Sequence, residues 1–385
     1  MSGKCLEGVR VLDLSRLLPG PFGTAILSDL GAMVLKVEGP ADADLTRAMP
    51  GFSQVINRGK KGITLNLKTA LGKEIFFQLV ERSEVLVEQF RPGVMDRLGV
   101  GFEACKKHNP KLVFASLSGY GATGPYAEKA GHDLNYLSLA GVAGISGTDA
   151  GELAIPGVQI ADLTGGLYLV IGVLAGLQSV SRNQQAVRID VSMFESCLSL
   201  VSMHLGEFFL AGQDPGPSTM QLNGALPNYQ LYQTGDGRWM SLGALEGKFW
   251  GNFCRKAGKS EWEIRLLGSK EEREKLKADL KNLFRSKSFQ EWQELARDPD
   301  LCLEPAWKFS EIENDPQVRA RGLVQKVRTR DGKEYKLIRS PVRFPDLKVP
   351  EPVPAPAKGE HTEEILLSLG YRESDLERFK KEGVI

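Results

Sequence analysis

The first forty residues alternate strand-like and helix-like segments, and this alternation constrains the fold more than any other feature. Val9–Leu14 is a short, mostly apolar run that is typical of a buried strand. A Pro-Gly-Pro sequence then turns the chain, and Pro21 suits the first turn of a helix that runs to about Leu30. Gly31 ends this helix, and Met33–Val37 predicts a second strand. Such a βαβ unit requires a parallel sheet with helices packed on its faces.

Three later segments extend the same pattern and predict further strands of this sheet. They are Ile63–Leu67, Val85–Glu88 and Leu112–Leu117, with a predicted helix near Ala70–Arg82 between the first two. Strands that alternate with helices are typical of α/β proteins with a mainly parallel sheet. We therefore predict an α/β fold with a large, doubly wound, Rossmann-like domain.

The chain is long enough for a second domain, and its pattern changes at about Asn223. Its 385 residues exceed the usual size of a single hydrophobic core. Tyr229–Thr234 and Arg238–Leu242 flank a Gly-Asp-Gly turn, which predicts a β-hairpin. Charged amphipathic segments follow through about Arg297, and together with the hairpin they predict a smaller α+β domain.

The predicted limits are residues 222–329 for the smaller domain, and residues 1–215 with 330–385 for the larger one. The C-terminal tail is therefore expected to return to the large domain. Val349–Lys358 is rich in proline, which predicts an extended strap without internal hydrogen bonds. Two short helices are predicted to close the chain, Thr362–Leu369 and Ser374–Glu382.

Charge and cysteine usage narrow the possible partners. The 49 basic and 48 acidic side chains give a formal charge of +1, so no overall field attracts nucleic acid or an anionic membrane. The five cysteines are odd in number, scattered and without CxxC spacing, which argues against a disulfide framework and a zinc site. This pattern favours a reducing compartment, and the first residues show no apolar signal segment. We predict a cytoplasmic protein that binds no metal, no nucleic acid and no membrane.

One segment has the length and apolar character of a membrane span. Leu163–Val180 is uncharged and about as long as the roughly 18-residue minimum for a spanning helix. It occurs once, in the middle of the chain, and carries Thr164, Gln178 and Ser179. We therefore interpret it as a buried helix of a large core.

Basic residues follow two of the predicted strands, at the sheet edge where open α/β folds bind ligands. Lys68 follows one of these strands, and Arg91 follows the next in a Phe-Arg-Pro-Gly sequence. A guanidinium group suits a phosphate, and the ring of Phe90 can stack on a purine. We predict a ligand contact for Arg91, and solvated surface positions for Lys60 and Lys61.

An imidazole and a carboxylate are the strongest candidates for chemistry. His132, one of four histidines, stands in a Gly-His-Asp-Leu-Asn-Tyr sequence, and Asp162 follows thirty positions later at the start of the apolar segment. A lone histidine is more often a structural residue, and Asp162 suits an N-cap whose carboxylate the helix end keeps ionised. In one pocket, however, the two side chains can remove a proton and return one. We predict that they form such a pair.

A glycine-rich motif suggests a dinucleotide site but lacks the required context. Gly119–Gly124 matches GxGxxG and follows a predicted strand. The fingerprint also requires a helix to begin there, whereas Pro125 and a short polar segment come next. We therefore predict a flexible loop and no nicotinamide or flavin binding.

At these residues the chain resembles the family III coenzyme A transferases, and within that superfamily the α-methylacyl-CoA racemases. The likeness covers essentially the whole length, from VRVLDLSRLLPGPF near the start to GEHTEEILLSLGY near the end. It includes the segments DLGAMVLKVE, NRGKKGITLNLK, VLVEQFRPGVMDRLG, NPKLVFASLSGYGATGP, AGHDLNYL, IADLTGGLYLVIGVLAGL, DVSMFES and YQTGDGRWMSLGALEGKFW.

The resemblance implies a site and an assembly. It implies that CoA binds as part of an acyl-CoA thioester substrate, with no tightly bound cofactor, and that the fold is an interlocked homodimer. The smaller domain of one chain would then complete the site on the larger domain of the other. The chain departs from the resemblance at Gly39, where racemases often carry an arginine that contacts the nucleotide end of CoA. The implied CoA-binding residues are Leu65, Asn66, Leu67, Lys68, Gln89, Phe90, Arg91, Arg97, Gly131, Asp133, Leu134, Asn135 and Tyr136.

Two reactions remain open at this point. In racemases of the superfamily a histidine and an aspartate, matched here by His132 and Asp162, move the α-proton of a 2-methylacyl-CoA, and Glu246 matches a glutamate near the active site. In the transferases the aspartate matched by Asp162 is a nucleophile that forms a mixed anhydride with the acyl group. The histidine and glutamate matches favour racemisation. A CoA-binding protein without catalysis is the third hypothesis, and the presence of both His132 and Asp162 argues against it.

Overall fold

The structure of the chain is a computed structural model that describes residues 5–42, 44–346 and 351–385. Residues 1–4 and the first two residues of the predicted strap, 349–350, lie outside the described residues. The strands are β1 (Arg10–Asp13), β2 (Met33–Glu38), β3 (Lys61–Thr64), β4 (Val85–Glu88), β5 (Val113–Ser118), β6 (Val187–Ser192), β7 (Tyr229–Gln233), β8 (Trp239–Gly243), β9 (Leu303–Pro305), β10 (Val324–Arg328) and β11 (Glu334–Ile338).

Helices account for most of the remaining regular structure. They are α1 (Pro19–Asp29), α2 (Pro50–Asn57), α3 (Ala70–Glu81), α4 (Val94–Arg97), α5 (Phe102–His108), α6 (Asp133–Leu139), α7 (Val142–Ile145), α8 (Ile160–Asn183), α9 (Met193–Leu200), α10 (Ser202–Ala211), α11 (Gly247–Lys256), α12 (Lys270–Arg285), α13 (Phe289–Ala296), α14 (Phe309–Ile312), α15 (Pro316–Ala320), α16 (Thr362–Ser368) and α17 (Glu373–Lys381).

The chain forms two compact units. The larger unit contains Met1–Ala140, Val158–Leu200 and Gln317–Ile385, and the smaller unit contains Gly141–Gly157 and Val201–Pro316. Residues 317–329 were predicted in the smaller domain but lie with the larger unit, where β10 pairs with β11. Residues 141–157 and 201–215 lie with the smaller unit.

A parallel six-stranded sheet organises the larger unit. Its strand order is β3-β2-β1-β4-β5-β6, and every neighbouring pair is parallel. This is the strand order of doubly wound dinucleotide-binding folds, in which the order reverses between the first and fourth strands. The prediction of an α/β fold with a parallel sheet is therefore confirmed.

Two strands differ from the predictions. The strand predicted at Ile63–Leu67 is observed as β3. It ends three residues earlier than predicted, because its partner β2 ends at Glu38, opposite Thr64. Leu65 and the residues after it therefore lie beyond the last paired residue of the sheet. The edge strand β6, which pairs with β5, was not predicted.

Helices α1 and α8 pack closely, and glycines make this contact possible. A Cβ added at Gly166 of α8 would lie 2.6 Å from the carbonyl oxygen of Pro19, and one added at Gly23 of α1 would lie 2.8 Å from the Gly166 oxygen. Side chains at these positions would therefore separate the two helices. This contact fixes the start of α8, where Asp162 lies, against the start of α1.

One side of α8 is exposed. Leu169 and Val173 are fully buried, whereas Leu167, Tyr168 and Ile171 are 46%, 38% and 57% exposed. In length and composition α8 could cross a membrane, and it is the one helix of that kind in the part of the chain that the structure describes. The prediction of a buried core helix therefore holds for only one of its faces.

A network of buried ion pairs lies behind the first strands of the sheet. Lys60 Nζ is 2.9 Å from Asp13 Oδ2, and Lys36 Nζ is 3.0 Å from Asp44 Oδ2, with all four side chains almost fully buried. The prediction that Lys60 is a solvated surface charge was wrong, because its ammonium group is buried against Asp13 of β1 and the carbonyl oxygen of Pro21. Lys61 is 40% exposed and pairs with Glu364 at the surface, as predicted.

The smaller unit has its own sheet and core. Strands β7, β8 and β9 form an antiparallel sheet, so the predicted hairpin is confirmed and gains a third strand. Helices α11, α12 and α13 contribute the aromatic core, in which Phe284 stacks on Trp292 at 4.2 Å between ring centroids and on Tyr232 at 4.7 Å.

The C-terminal tail packs on the sheet of the larger unit. Leu366, Leu376 and Phe379 of α16 and α17 are buried in the core that contains Ile63 and Phe76. The two predicted closing helices are confirmed within one or two residues at their ends.

Candidate active site

The switch point of the parallel sheet lies between β1 and β4. Ligands of open α/β sheets bind at such a point, outside the carboxyl ends of the strands. The segments that follow β1 and β4 here line two cavities in the larger unit. The His132 cavity, which contains His132 and Asp162, is about 490 Å³, and the Gly39 cavity, which contains Gly39 and Lys68, is about 450 Å³.

The structure brings His132 and Asp162 to a common cavity. Both residues line the His132 cavity, although His132 directly precedes α6 and Asp162 lies in α8. The cavity also contains other residues that the sequence indicated as a site. These are Gln89, Phe90, Arg91, Gly131, Asn135 and Tyr136.

His132 is the N-cap residue of α6. Its backbone N–H donates to Asn135 Oδ1 at 3.0 Å, and His132 as a whole is exposed. The His132 side chain makes no capping hydrogen bond to this helix, and it lines the cavity. This arrangement fixes the backbone of His132 at the start of α6 and presents its imidazole to a ligand in the cavity.

Asp162 lies in the first turn of α8, and the prediction that it is the N-cap was wrong. The helix begins at Ile160, so its N-cap residue is Gln159, whose side chain makes no capping hydrogen bond. The cap comes from α6 instead: Asp133 Oδ1 accepts the N–H of Ala161 at 2.7 Å and that of Asp162 at 3.2 Å. The carboxylate of Asp162 is therefore not used to cap its own helix.

The environment of Asp162 raises its pKa. Burial, followed by the negative charge of Asp133, raises the pKa of the Asp162 carboxyl to about 7. The expectation that the helix end keeps this carboxylate ionised does not hold near neutral pH, because burial and the charge of Asp133 both raise its pKa. Near neutral pH, Asp162 therefore populates both its acid and its base form.

A buried tyrosine shapes the wall beside His132. The hydroxyl of Tyr136 donates to the carbonyl oxygen of Gly131 at 2.6 Å. A Cβ added at Gly131 or at Gly119 would lie 2.8 Å or less from the Tyr136 side chain, so both positions require glycine. Burial and the neighbouring Tyr120 raise the pKa of Tyr136 to about 12, which keeps it a neutral donor.

The Gly39 cavity collects the remaining predicted contacts of the larger unit. Leu65, Asn66, Leu67 and Lys68 line it, because they continue past the end of β3. Sequence reasoning missed Arg16, which also lines this cavity and lies 5.5 Å from the ring centroid of Phe90. Its position directly after the first strand of the sheet was the available signal.

Phe90 stands between the two cavities. Of the residues that the structure describes, it is the one that lines both. Its backbone N–H donates to Glu88 Oε2 at 2.8 Å, and the side chain of the adjacent Gln89 accepts the N–H of Gly20 at 3.0 Å. The segment after β4 is thus fixed to the start of α1.

Four predicted site residues do not line either cavity. Asp133 caps α8, Leu134 is 42% exposed, and Arg97 is exposed on α4, whose Val94 and Leu98 line the Gly39 cavity. Glu246 lies in the smaller unit as the N-cap residue of α11, without a capping hydrogen bond from its side chain.

The described residues offer no metal site. Across residues 5–42, 44–346 and 351–385, no group of three or more His, Cys, Asp or Glu side chains is arranged to hold a metal ion. The chemistry available in the His132 cavity is that of an imidazole, a carboxyl and backbone or side-chain hydrogen-bond donors.

Comparisons with known proteins agree on the family. A model of CoA-transferase family III matches residues 6–362. Human alpha-methylacyl-CoA racemase is 31% identical over 382 residues, covering 99% of this chain and 97% of the relative. Human succinyl-CoA:glutarate CoA-transferase is 30% identical over 397 residues, covering 99% and 90%. The crystal structure of a CAIB/BAIF family protein from Brucella suis superposes with a TM-score of 0.83 at 29% identity, covering 96% of this chain and all of that one.

Proposed function

The chain belongs to CoA-transferase family III, and on that premise we propose that it inverts the α-carbon of 2-methylacyl-CoA thioesters. The observation that carries the proposal is that His132 and Asp162 line one cavity. An imidazole and a carboxyl in one space are the groups that two-base proton transfer needs. The similarity to human alpha-methylacyl-CoA racemase supports the same reaction.

The CoA part of the substrate extends from the Gly39 cavity past Phe90 into the His132 cavity. The Gly39 cavity takes the nucleotide end, where Lys68 and Arg16 supply positive charge for phosphates. Arg16 offers a cation in the cavity where Gly39 itself has no side chain. The thioester and acyl group then occupy the His132 cavity, with Arg91 at its wall.

The reaction moves one proton off the α-carbon and one proton onto it. Neutral His132 takes the α-proton on one face, and the C–H electrons move into the thioester to form an enolate. Protonated Asp162 then gives its proton to the opposite face, and the carbonyl reforms. For the other enantiomer the two groups exchange roles. A pKa of about 7 suits Asp162 to both roles near neutral pH.

The enolate oxygen needs hydrogen-bond donors that are not already engaged. The N–H groups of Ala161 and Asp162 are bonded to Asp133, so the start of α8 is a poor candidate. The N–H of Asp133 is the first of α6 and has no acceptor within its own helix, and the residues directly before it, Gly131 and His132, line the cavity. We assign the stabilisation of the enolate to this start of α6.

The active enzyme is proposed to be an interlocked homodimer. The exposed apolar side chains of α8, including Leu167 and Ile171, support a partner that covers them. In such a dimer Glu246 of the partner's smaller domain orients groups in the His132 cavity. We further propose a cytoplasmic enzyme that needs no metal or bound cofactor and has no nucleic-acid or membrane partner.

Transfer of CoA is the second candidate. Asp162 would attack the thioester carbonyl, the C–S bond would break, and a mixed anhydride and free CoA thiolate would form. The similarity to human succinyl-CoA:glutarate CoA-transferase supports this reaction, and so does the placement of the Asp162 carboxyl in the cavity. His132 would then be accessory.

One experiment separates these functions. A single enantiomer of a 2-methylacyl-CoA is incubated with the protein in D₂O, with and without an added carboxylic acid. Racemisation predicts deuterium at the α-carbon with loss of chirality, without need of the acid. Acyl exchange that requires the acid and Asp162 but tolerates His132→Ala would contradict racemisation and support CoA transfer. Binding without either reaction would exclude both.

A further inference from the structure

The carboxylate of Asp133 joins the starts of two helices that carry the proposed bases. Asp133 is the first residue of α6, directly after His132, and its Oδ1 accepts the backbone N–H groups of Ala161 and Asp162 in α8. One side chain thus connects the backbone next to the imidazole with the backbone of the second base.

The start of α8 depends on this contact. Its own N-cap residue, Gln159, provides no side-chain hydrogen bond. A carboxylate at a helix N-terminus accepts otherwise unpaired N–H groups and interacts favourably with the helix dipole. Asp133 supplies both effects from a position 28 residues earlier in the chain.

We infer that Asp133 is a positioning residue, whose carboxylate holds His132 and Asp162 at a fixed separation and places a negative charge beside Asp162. This replaces the prediction of a CoA contact for its side chain, since Asp133 lines neither cavity and its Oδ1 is engaged by α8. The inference depends on the proposed function only in treating His132 and Asp162 as the proton-transferring pair.

The charge of Asp133 acts on Asp162 together with burial, and both raise the pKa of Asp162. Other charged or titratable groups also face Asp162, from elements other than α1. The segment Pro19–Gly23 of α1, packed against this end of α8, holds no titratable side chain. The groups that face Asp162 from the other elements are His132 and Tyr136 at α6, Arg91 after β4, Lys129 before α6, and Cys197 of α9, with Glu195 of α9 lying toward Gly121.

Two substitutions of Asp133 separate the two effects. Asp133→Asn keeps an acceptor oxygen but removes the charge, whereas Asp133→Ala removes both. In Asp133→Ala we expect the amide hydrogens of Ala161 and Asp162 to exchange about tenfold faster or more, because each loses a charge-assisted hydrogen bond. In Asp133→Asn we expect most of this protection to remain.

The charge effect is measured in Asp133→Asn. The pKa of the Asp162 carboxyl, followed by ¹³C NMR with Asp162→Asn as the assignment reference, should fall from its wild-type value. The pH profile of kcat/KM for racemisation should move to lower pH. For each half pH unit of this shift, kcat/KM on the acidic side should change about threefold relative to the wild type. A role limited to structure would leave both unchanged.

Asp375→Asn is the matched control, because the Asp375 carboxylate also accepts a backbone N–H, from Arg372 at the start of α17. It should alter neither the exchange of residues 161 and 162 nor the titration of Asp162. Unchanged exchange in Asp133→Ala, or an unchanged Asp162 pKa in Asp133→Asn, would overturn the inference. If the wild type does not racemise but the NMR titration shifts as expected, the proposed function fails and the inference stands.

Discussion

Lys60 and Asp13 form a 2.9 Å ion pair in which neither side chain reaches solvent. Asp13 also accepts the hydroxyl hydrogens of Ser15 and Thr24. Burial alone would raise the pKa of Asp13, but the ammonium groups of Lys60 and Lys36 hold it at about 2. The Asp13 carboxyl is therefore ionised near neutral pH. Burial lowers the pKa of Lys60 to about 8 although Asp13 raises it, so each partner depends on the other for its charge.

Removing one partner should destabilise the larger unit strongly. Asp13→Asn leaves the Lys60 ammonium buried without its counter-charge, and we expect a loss of about 3–5 kcal/mol in the free energy of unfolding. Urea denaturation measures this change in the free energy of unfolding. Glu84→Gln, which breaks the exposed Arg10–Glu84 pair, should cost less than about 1 kcal/mol. Equal effects of the two substitutions would contradict the importance of burial.

His132 should be essential for inversion but not for binding. We expect His132→Ala to lower kcat for racemisation by about 10²–10⁴-fold, because one general base is lost, while the Kd for CoA changes little. Racemisation is followed by circular dichroism or deuterium uptake. His108→Ala removes a surface histidine paired with Glu81 and should leave kcat unchanged.

The pH profile should distinguish the two candidate reactions. Asp162 is mostly protonated below its pKa of about 7 and mostly ionised above it. Racemisation needs one of the two groups, His132 or Asp162, to carry a proton and the other to lack one. The value of kcat/KM should therefore fall at pH values below and above an optimum, with the same profile for both enantiomers. Acyl transfer needs the Asp162 carboxylate, so its rate should rise through about pH 7 and then remain level. A profile of the second kind would contradict racemisation.

Gly166 should tolerate no side chain. In Gly166→Ala the new Cβ would lie 2.6 Å from the Pro19 oxygen, so α1 and α8 must separate, and we expect about 1–3 kcal/mol lower stability. Gly206→Ala is the control, because a Cβ in α10 meets nothing within 4 Å and should stabilise by about 0.5–1 kcal/mol. Thermal unfolding of both variants tests the contrast.

Arg16 should contribute to CoA binding. We expect Arg16→Gln to raise KM for acyl-CoA about tenfold or more with kcat nearly unchanged, because a charged contact to phosphate is lost. Arg82→Gln removes an exposed arginine at the end of α3 that bonds to the Ser368 oxygen, and it should leave KM unaltered. An unchanged KM in Arg16→Gln would exclude Arg16 from the nucleotide site.

Local patterns in the sequence were sufficient to predict most strands of the larger unit's parallel sheet. The strands β1, β2, β4 and β5 were predicted because they are short buried runs between helix signals, and parallel pairing followed from their alternation with helices. Strand β6 was missed because it is an edge strand: Val187 to Ser192 alternates apolar and polar residues instead of forming an apolar run. That alternation was the signal to use.

The site was predictable in its members but not in its internal contacts. The motif around His132 and the position of Asp162 indicated one pocket, and both residues line it. The hydrogen bonds from α8 to Asp133 join residues far apart in the chain, and so does the ion pair of Lys60 with Asp13. Such contacts depend on how strands and helices are arranged in space, which local periodicity does not specify.

The position of Phe90 has a consequence for how this enzyme can diversify. A single ring separates the space around Lys68 from the space around His132, and the two spaces share no other described residue. In the proposed binding mode, substitutions at the acyl end, for example at Leu117 or Met193, would leave the residues of the Gly39 cavity unchanged. The same proposed contacts to CoA would then serve acyl groups of many shapes.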